Sequence, residues 1–142
     1  MSIIEQIRFH EGVRSKPYRC TAGKLTIGVG HNLEDNELSD AAINFILAED
    51  LKTARAELDR VTPWWRDLSP NRQDVLVDML FNLGAPRLLR FRGMLFQAQS
   101  GDFNAAADEM LDSQWARQVG ERAQTLARMM RHDYSFADAR MA

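Results

Sequence analysis

Three residues near the amino terminus carry the side chains with the clearest chemical potential in this sequence. Glu11 closes a short amphipathic stretch and is a natural proton donor, and Thr26 is placed to hold a hydroxyl group nearby. Between them lies Cys20, the only cysteine of the chain. Glycoside hydrolysis commonly needs a carboxylic acid to protonate the leaving oxygen, and a second group that delivers or activates the nucleophile. Glu11 suits the first role, so the functional question is what the thiol of Cys20 does.

A short helix is expected to position the glutamate. Isoleucines recur at helical spacing over residues 2–11, which predicts an amphipathic helix that Gly12 ends. Glu11 would then lie at the helix carboxyl end, where the partial negative charge of the helix disfavours the carboxylate. Partial burial in a cleft would raise the pKa further, toward the range useful for a general acid.

A β-hairpin is expected to position the thiol and the hydroxyl. The helical spacing of apolar residues ends before residues 17–31. There, two short apolar segments flank the turn-like sequence Thr21-Ala22-Gly23. Gly28 and Gly30 follow the second segment and allow a close approach of the backbone. This is the only region with a convincing strand pattern.

The remainder of the chain has a helical pattern. Ser39 is a good N-cap for a long helix over about residues 39–60, and Ser69-Pro70 starts a central apolar helix that stops at Gly84. Further helices are expected over about Gly93–Gln99, Phe103–Leu111 and Trp115–Arg131. The tail after Tyr134 has weak periodicity and is expected to fray.

Composition excludes several functional classes. The 142 residues fit one domain or two small lobes, and a formal net charge of −2 with dispersed Lys and Arg gives no electrostatic footprint for nucleic-acid binding. A single cysteine cannot form an intramolecular disulfide. We expect no signal peptide, and no apolar run of this sequence is long enough for a bilayer. No His/Cys/Asp cluster has metal-ligand spacing, so no metal or cofactor is expected.

Several motifs together resemble the phage-type lysozyme (endolysin, muramidase) family. They are Glu11-Gly12, Tyr18, Gly23, Thr26–His31 (TIGVGH), Phe81-Asn82-Leu83-Gly84 and Ser113-Gln114-Trp115. The resemblance covers most of the chain and implies an α+β, mainly α fold with two lobes. A small N-terminal β-hairpin lobe and a larger C-terminal helical lobe would be joined by a long helix.

The resemblance also implies a division of the chain. Residues 1–142 would form a single lysozyme-like domain, with the first lobe over about residues 12–50 and the hairpin at 17–31. The helical lobe would cover about residues 61–142 and include the helix at 2–11. The linking helix at about 39–60 would connect the two.

The family's activity is hydrolysis of the β-1,4 bond between N-acetylmuramic acid and N-acetylglucosamine in bacterial peptidoglycan. By resemblance, Glu11 matches the general acid and Thr26 matches a residue that helps hold the attacking water. Phe81 matches an apolar residue that lines the cleft near the substrate, although a plain core phenylalanine is as consistent with its apolar helix. Asn32 could donate a hydrogen bond to a sugar.

Three further residues are expected to support the site. The resemblance implies that His31 pairs with Asp50 on the long helix, which would hold the histidine charged and tie the hairpin to that helix. Arg122 lies where the family places an arginine that faces the catalytic glutamate. Such an arginine would orient Glu11 while lowering its pKa.

Position 20 departs from the family pattern, in which an aspartate is expected. Cys20 could be the active group, as a thiolate nucleophile or a base assisted by a neighbour such as Arg19. It could be a spectator while Glu11 acts alone, as in lytic transglycosylases. The site could also be inactive, leaving a cleft that only binds glycan. A buried structural cysteine is the general alternative for this residue type.

The resemblance finally implies partners and a location. The expected partner is the glycan strand of bacterial peptidoglycan, and we expect a monomer with no nucleic acid and no stable membrane association. Synthesis in the host bacterial cytoplasm would be followed by release through a membrane lesion made by a separate phage protein, leading to host cell lysis.

Overall fold

The computed structural model describes residues 2–142, which divide into an N-terminal unit that ends at Leu47 and a C-terminal unit that begins at Ala48. The helices are α1 Ile3–Glu11, α2 Asp40–Val61, α3 Pro70–Leu83, α4 Ala85–Leu88, α5 Arg92–Ser100, α6 Phe103–Leu111, α7 Gln114–Val119, α8 Glu121–His132 and α9 Phe136–Met141, with a 3-10 turn at Pro63–Asp67. The strands are β1 Arg14–Arg19, β2 Leu25–Gly28 and β3 His31–Asn32. A mainly helical chain with a small antiparallel sheet near its amino terminus confirms the expected α+β class.

The first helix has well-defined ends. A capping box starts α1: the Ser2 hydroxyl accepts from the Glu5 amide at 3.2 Å, and the Glu5 carboxylate accepts from the Ser2 amide at 2.7 Å. At the other end Gly12 has a φ of 75° and its N–H donates to the Arg8 carbonyl at 2.9 Å. These ends confirm the predicted helix and make Glu11 its last residue.

Helix α1 belongs to the same compact unit as the sheet. The expected association of this helix with the helical lobe stays a prediction. Only Gly12 and Val13 separate α1 from β1, and Val29 lines an apolar groove together with Ile3, Ile4 and Ile7.

The sheet has the order β1-β2-β3 with antiparallel pairing throughout. The predicted hairpin is confirmed, but β1 begins at Arg14 rather than at Pro17, and its register with β2 is irregular between Arg14 and Tyr18. Proline lacks a backbone N–H and is tolerated on an edge strand such as this one. The third strand was not predicted, because two residues are too short for a periodic signal.

Caps also fix the two helices with the clearest sequence signals. The Ser39 hydroxyl accepts from the Ala42 amide at 3.2 Å and starts α2, and the Ser69 hydroxyl accepts from the Arg72 amide at 3.4 Å and starts α3. Both predicted helices are therefore confirmed, including the stop of α3 at Gly84.

Two predictions for the carboxyl-terminal third are wrong. The helix expected over Trp115–Arg131 is broken at Gly120, whose φ of 57° and ψ of −117° end α7 and precede α8. The tail expected to fray forms α9, since the Ser135 hydroxyl accepts from the Asp138 amide at 3.2 Å and Ala139 is buried.

The apolar core lies within the C-terminal unit. Its largest fully buried side chains are Trp65, Leu58, Leu76, Met79, Leu88, Met94, Met110, Met130 and Val75. Arg72 connects α3 to two neighbouring helices. Its Nε donates to the Met130 carbonyl of α8 at 2.7 Å, and its guanidinium lies 3.6 Å from the centre of the Phe103 ring of α6. No helix within residues 2–142 is both long and apolar enough to cross a membrane.

Candidate active site

Cys20 opens the tight turn that joins β1 to β2. The Gly23 amide donates to the Cys20 carbonyl at 2.8 Å, and the Cys20 amide donates to the Lys24 carbonyl at 3.0 Å. Gly23 adopts a φ of 79°, which a glycine accepts without strain. This geometry confirms the predicted turn and fixes the backbone around the thiol.

The turn also sets the electrostatic environment of the thiol. The backbone N–H of Lys24 and then that of Ala22 lower the pKa of the half-buried, free Cys20, and the Thr26 hydroxyl lowers the pKa further. Desolvation acts in the opposite direction but does not outweigh these groups. A lowered pKa gives a larger thiolate fraction near neutral pH, and the thiolate is the nucleophilic form.

Arg19 is not the neighbour that assists the thiol. Its guanidinium donates to the Glu34 carboxylate at 2.5 Å and to the Gly23 carbonyl at 3.1 Å. The same Glu34 oxygen accepts from the Leu25 amide at 3.0 Å, and the Leu25 amide and Arg19 together hold the pKa of Glu34 below its ordinary value. Glu34, in the loop after β3, therefore binds both strands of the hairpin, at Arg19 of β1 and at Leu25 of β2.

Thr26 is a buried neighbour of the thiol. Its side chain belongs to β2, the residue is 3% exposed, and its hydroxyl donates to the Lys24 carbonyl at 2.9 Å. A hydroxyl carries one proton and can rotate, so the same group can donate to the sulfur when Cys20 is ionised. The geometry suits support of the thiolate, and the expected contact of Thr26 with the attacking water stays a prediction.

The carboxyl group of Glu11 lies over the turn between β2 and β3. A methyl group in place of the Gly30 hydrogen would lie 2.7 Å from Glu11 Oε2 and 3.1 Å from its Cδ. The predicted close approach to the glycine backbone is therefore confirmed at Gly30, where the approaching group is the Glu11 side chain. Gly28 has a similar φ of 70° but open space at the equivalent position. Gly30 therefore provides the surface on which the Glu11 side chain rests.

The two remaining sheet residues have local roles. Asn32 Oδ1 accepts from the Glu34 and Asp35 amides at 3.0 and 3.1 Å, and its Nδ2 donates to Asp35 Oδ2 at 2.9 Å. The Asn32 amide thus shapes the loop after β3, and its expected sugar contact stays a prediction. His31 Nε2 is buried and has no hydrogen-bond partner within residues 2–142.

Three predicted residues lie in the C-terminal unit. Phe81 on α3 is 47% exposed, so it is not a core phenylalanine and is accessible to a ligand. Arg122 forms an ion pair with Asp78, with Nη2 to Oδ1 at 2.7 Å. Asp50 lies on α2. The relations expected between these residues and those of the N-terminal unit stay predictions.

The N-terminal unit thus carries three reactive groups on a short stretch of backbone. Glu11 supplies an exposed carboxyl group, Cys20 a thiol with a lowered pKa, and Thr26 a hydroxyl beside that thiol. The contribution of the Ala22 and Lys24 amides was missed from sequence, because it depends on the direction of backbone N–H groups rather than on residue type. This combination can transfer a proton and deliver a nucleophile.

Comparison with known proteins defines the class. Residues 8–133 match the phage lysozyme family, and the chain belongs to this family. The resemblance noted from the sequence motifs is therefore confirmed, and the protein is lysozyme-like.

The similar proteins include a phage spike protein and two endolysins. The chain is 29% identical over 151 residues to the pre-baseplate central spike protein Gp5 of Enterobacteria phage T4, covering 87% of this chain and only 26% of the spike protein. It is 31% identical over 120 residues to the endolysin of Acyrthosiphon pisum secondary endosymbiont phage 1, covering 82% of this chain and 80% of that endolysin. It is also 31% identical over 115 residues to the SAR-endolysin of Escherichia phage Mu, covering 79% and 64% of the two chains.

The environment of the thiol can be tested by titration. We expect Cys20 to react with iodoacetamide at a lower pH midpoint in the native protein than in urea, because the turn amides stabilise the thiolate only when the hairpin is folded. The signal is unambiguous, since the chain has one cysteine. Thr26→Val should raise the native midpoint part of the way, as the amides are the larger cause. A native midpoint at or above the unfolded one would contradict this account.

The contact between Glu11 and Gly30 can be tested by substitutions at two glycines, Gly30 and Gly28. Gly30→Ala should reduce kcat in a cell-wall turbidity assay, because the added methyl group displaces the Glu11 carboxyl group. Gly28→Ala introduces the same strain at a φ of 70° instead of 69°, with nothing within 4 Å of the methyl group. Both variants should lose a similar ~1 kcal/mol of stability, as expected for an L-residue in left-handed backbone. Equal kcat values in the two variants would refute the proposal that Gly30 positions the Glu11 carboxyl group.

Proposed function

We propose that this protein is a lysozyme that hydrolyses the β-1,4 glycosidic bond between N-acetylmuramic acid and N-acetylglucosamine in bacterial peptidoglycan. Membership of the phage lysozyme family supports the general class of glycoside hydrolase. The observation that carries the proposal is the presence, on one small unit, of both the Glu11 carboxyl group and a Cys20 thiol whose pKa is lowered. The choice of bond is our proposal from the family resemblance.

In this mechanism Glu11 is the general acid. Its exposed position at the end of α1 leaves the carboxyl group accessible to a glycan strand, while Gly30 limits where the group can lie. The proton of Glu11 passes to the glycosidic oxygen as the bond from C1 to that oxygen breaks. General acid catalysis of this kind contributes roughly 10²–10⁴-fold to the rate.

Cys20 supplies the second catalytic function. As a nucleophile, the thiolate attacks C1 and forms a C–S bond; water then cleaves that bond while the Glu11 carboxylate accepts the proton of the water. As a base, the thiolate removes a proton from the water that attacks C1 directly. The first route retains the anomeric configuration and the second inverts it, so NMR of the initial product anomer distinguishes them.

Two alternative functions of the same site would give different outcomes with peptidoglycan. A lytic transglycosylase that uses Glu11 alone would release 1,6-anhydromuramic ends rather than reducing ends. An inactive relative would bind glycan and release nothing. Lowering of the Cys20 pKa by two backbone amides supports a chemical role for the thiol, and therefore favours hydrolysis over both alternatives.

The biological role follows from the relatives. Two of them are named endolysins, and we infer that this protein likewise degrades the cell wall of a bacterial host during phage release. It would act as a monomer on glycan strands, reaching the wall through a membrane lesion made by a separate protein. The spike protein is a relative of which the chain spans only about a quarter, so its assembly role is not transferred.

The acid role of Glu11 predicts the outcome of a conservative exchange. Glu11→Gln should reduce the release of reducing sugar from purified peptidoglycan by about 10²-fold or more, because the amide cannot donate the proton. Glu49→Gln, at an exposed glutamate of α2, should retain wild-type activity. Mass spectrometry of the wild-type products should show reducing ends, and 1,6-anhydro ends would refute the hydrolase mechanism.

The role of Cys20 predicts opposite results for two replacements. Cys20→Ser should lose activity on the order of tenfold or more, since a hydroxyl is not ionised near neutral pH. Cys20→Asp should retain a substantial share, and the acidic limb of its pH–rate profile should lie at lower pH, because an aspartate ionises near pH ~4. Wild-type activity in Cys20→Ser would show that the thiol has no chemical role.

A further inference from the structure

A pocket lies in the C-terminal unit, and its lining includes none of the residues assigned to the reaction. It occupies about 510 Å³ between the 3-10 turn at Pro63–Asp67 and the helices α5 and α6. Its lining includes Trp64, Asp67, Arg72, Gln99 and Phe103. The volume falls within the roughly 300–1,000 Å³ that is typical of small-molecule sites.

The pocket has an aromatic wall with an unused donor. Trp64 is half-buried and rests on the core, but its indole N–H makes no hydrogen bond within residues 2–142. The other two tryptophans differ, because Trp65 donates to Asp59 at 2.7 Å and Trp115 donates to Asn82 at 2.8 Å. Trp64 is thus the tryptophan whose polar atom is left for a ligand.

The polar groups of the pocket select the charge of the ligand. Asp67 and Gln99 are exposed, and neither side chain is hydrogen-bonded to another part of the described chain. The Arg72 guanidinium is committed, since Nε donates to the Met130 carbonyl at 2.7 Å and Nη2 to the Arg131 carbonyl at 3.2 Å. Among the described residues, the pocket therefore offers a free carboxylate and a free amide while its Arg72 cation is engaged, which disfavours an anionic ligand.

We propose that this pocket binds the ring of a neutral N-acetylated hexosamine as a non-catalytic glycan site. The apolar face of a pyranose matches an aromatic wall, its hydroxyls donate to the Asp67 carboxylate, and its acetamido group exchanges hydrogen bonds with the Gln99 amide. The pocket chemistry is independent of the reaction; only the identification of the sugar with a peptidoglycan strand rests on the proposed function. Such a site would hold a strand to the protein between cleavage events.

The indole signals of the protein provide a direct test. Chitotetraose is titrated into 15N-labelled Glu11→Gln protein, which prevents cleavage, and the three tryptophan Nε1–H resonances are followed, with Trp64 assigned from Trp64→Phe. We expect a saturable shift of the Trp64 signal with a dissociation constant of roughly 1 mM. Loss of one hydrogen bond in Asp67→Ala or Gln99→Ala should weaken this binding about fivefold.

Matched controls make the result decisive. Asp74→Ala and Gln124→Ala remove exposed side chains of the same types outside the pocket and should leave the titration unchanged. An unchanged Trp64 signal, or equal affinity in all four variants, would overturn the proposal. A response to a lysine-containing stem peptide, with none to chitotetraose, would overturn the assignment to a sugar. Wild-type protein that fails to cleave peptidoglycan but shows the Trp64 shift would refute the proposed function and leave this site standing.

Discussion

The turn from Cys20 to Lys24 is the constraint on which the candidate site depends. Because Gly23 adopts a positive φ, the chain reverses within four residues and directs the Ala22 and Lys24 amides toward the side chain at position 20. Aspartate is favoured at the opening position of such turns, since its carboxylate accepts hydrogen bonds from the amides that follow. The backbone therefore stabilises negative charge at position 20 whichever acidic group is present. The turn would therefore suit a thiol as well as the aspartate that the family resemblance leads us to expect at this position.

Glu11 and Cys20 are held by different parts of the backbone. Cys20 is positioned by the turn it opens, whereas Glu11 is positioned by the end of a helix and by the bare backbone of Gly30. Acid–base catalysis of a glycosidic bond needs one group protonated while the other is ionised. Separate supports allow each environment to be set without disturbing the other. The lowered thiol pKa favours the second requirement, because it brings ionisation of Cys20 closer to neutral pH.

Local signals made much of the fold predictable. A serine cap followed by Pro70 defined the start of α3, and glycines defined its end and the approach of the backbone to Glu11. Long-range partners were not predictable: Arg19 was considered as one neighbour that could assist the thiol, but it bonds to Glu34 fifteen positions away. The break between α7 and α8 was missed because an isolated glycine within a helical pattern is compatible with continuation, and only backbone geometry shows that Gly120 ends a helix.

The distribution of buried side chains explains why chemistry at this site can change at little cost to folding. Every buried apolar side chain of the core lies between Ala54 and Ala139, and Thr26 is the only buried residue within residues 2–47. A segment with so little burial cannot gain much stability from its apolar side chains. It therefore depends on local hydrogen bonds, including the capping box of α1 and the bond from the Leu25 amide to Glu34. Exchanges at the exposed Glu11 or the half-buried Cys20 remove little buried apolar area. The buried apolar core, which lies in the C-terminal unit, does not include either residue.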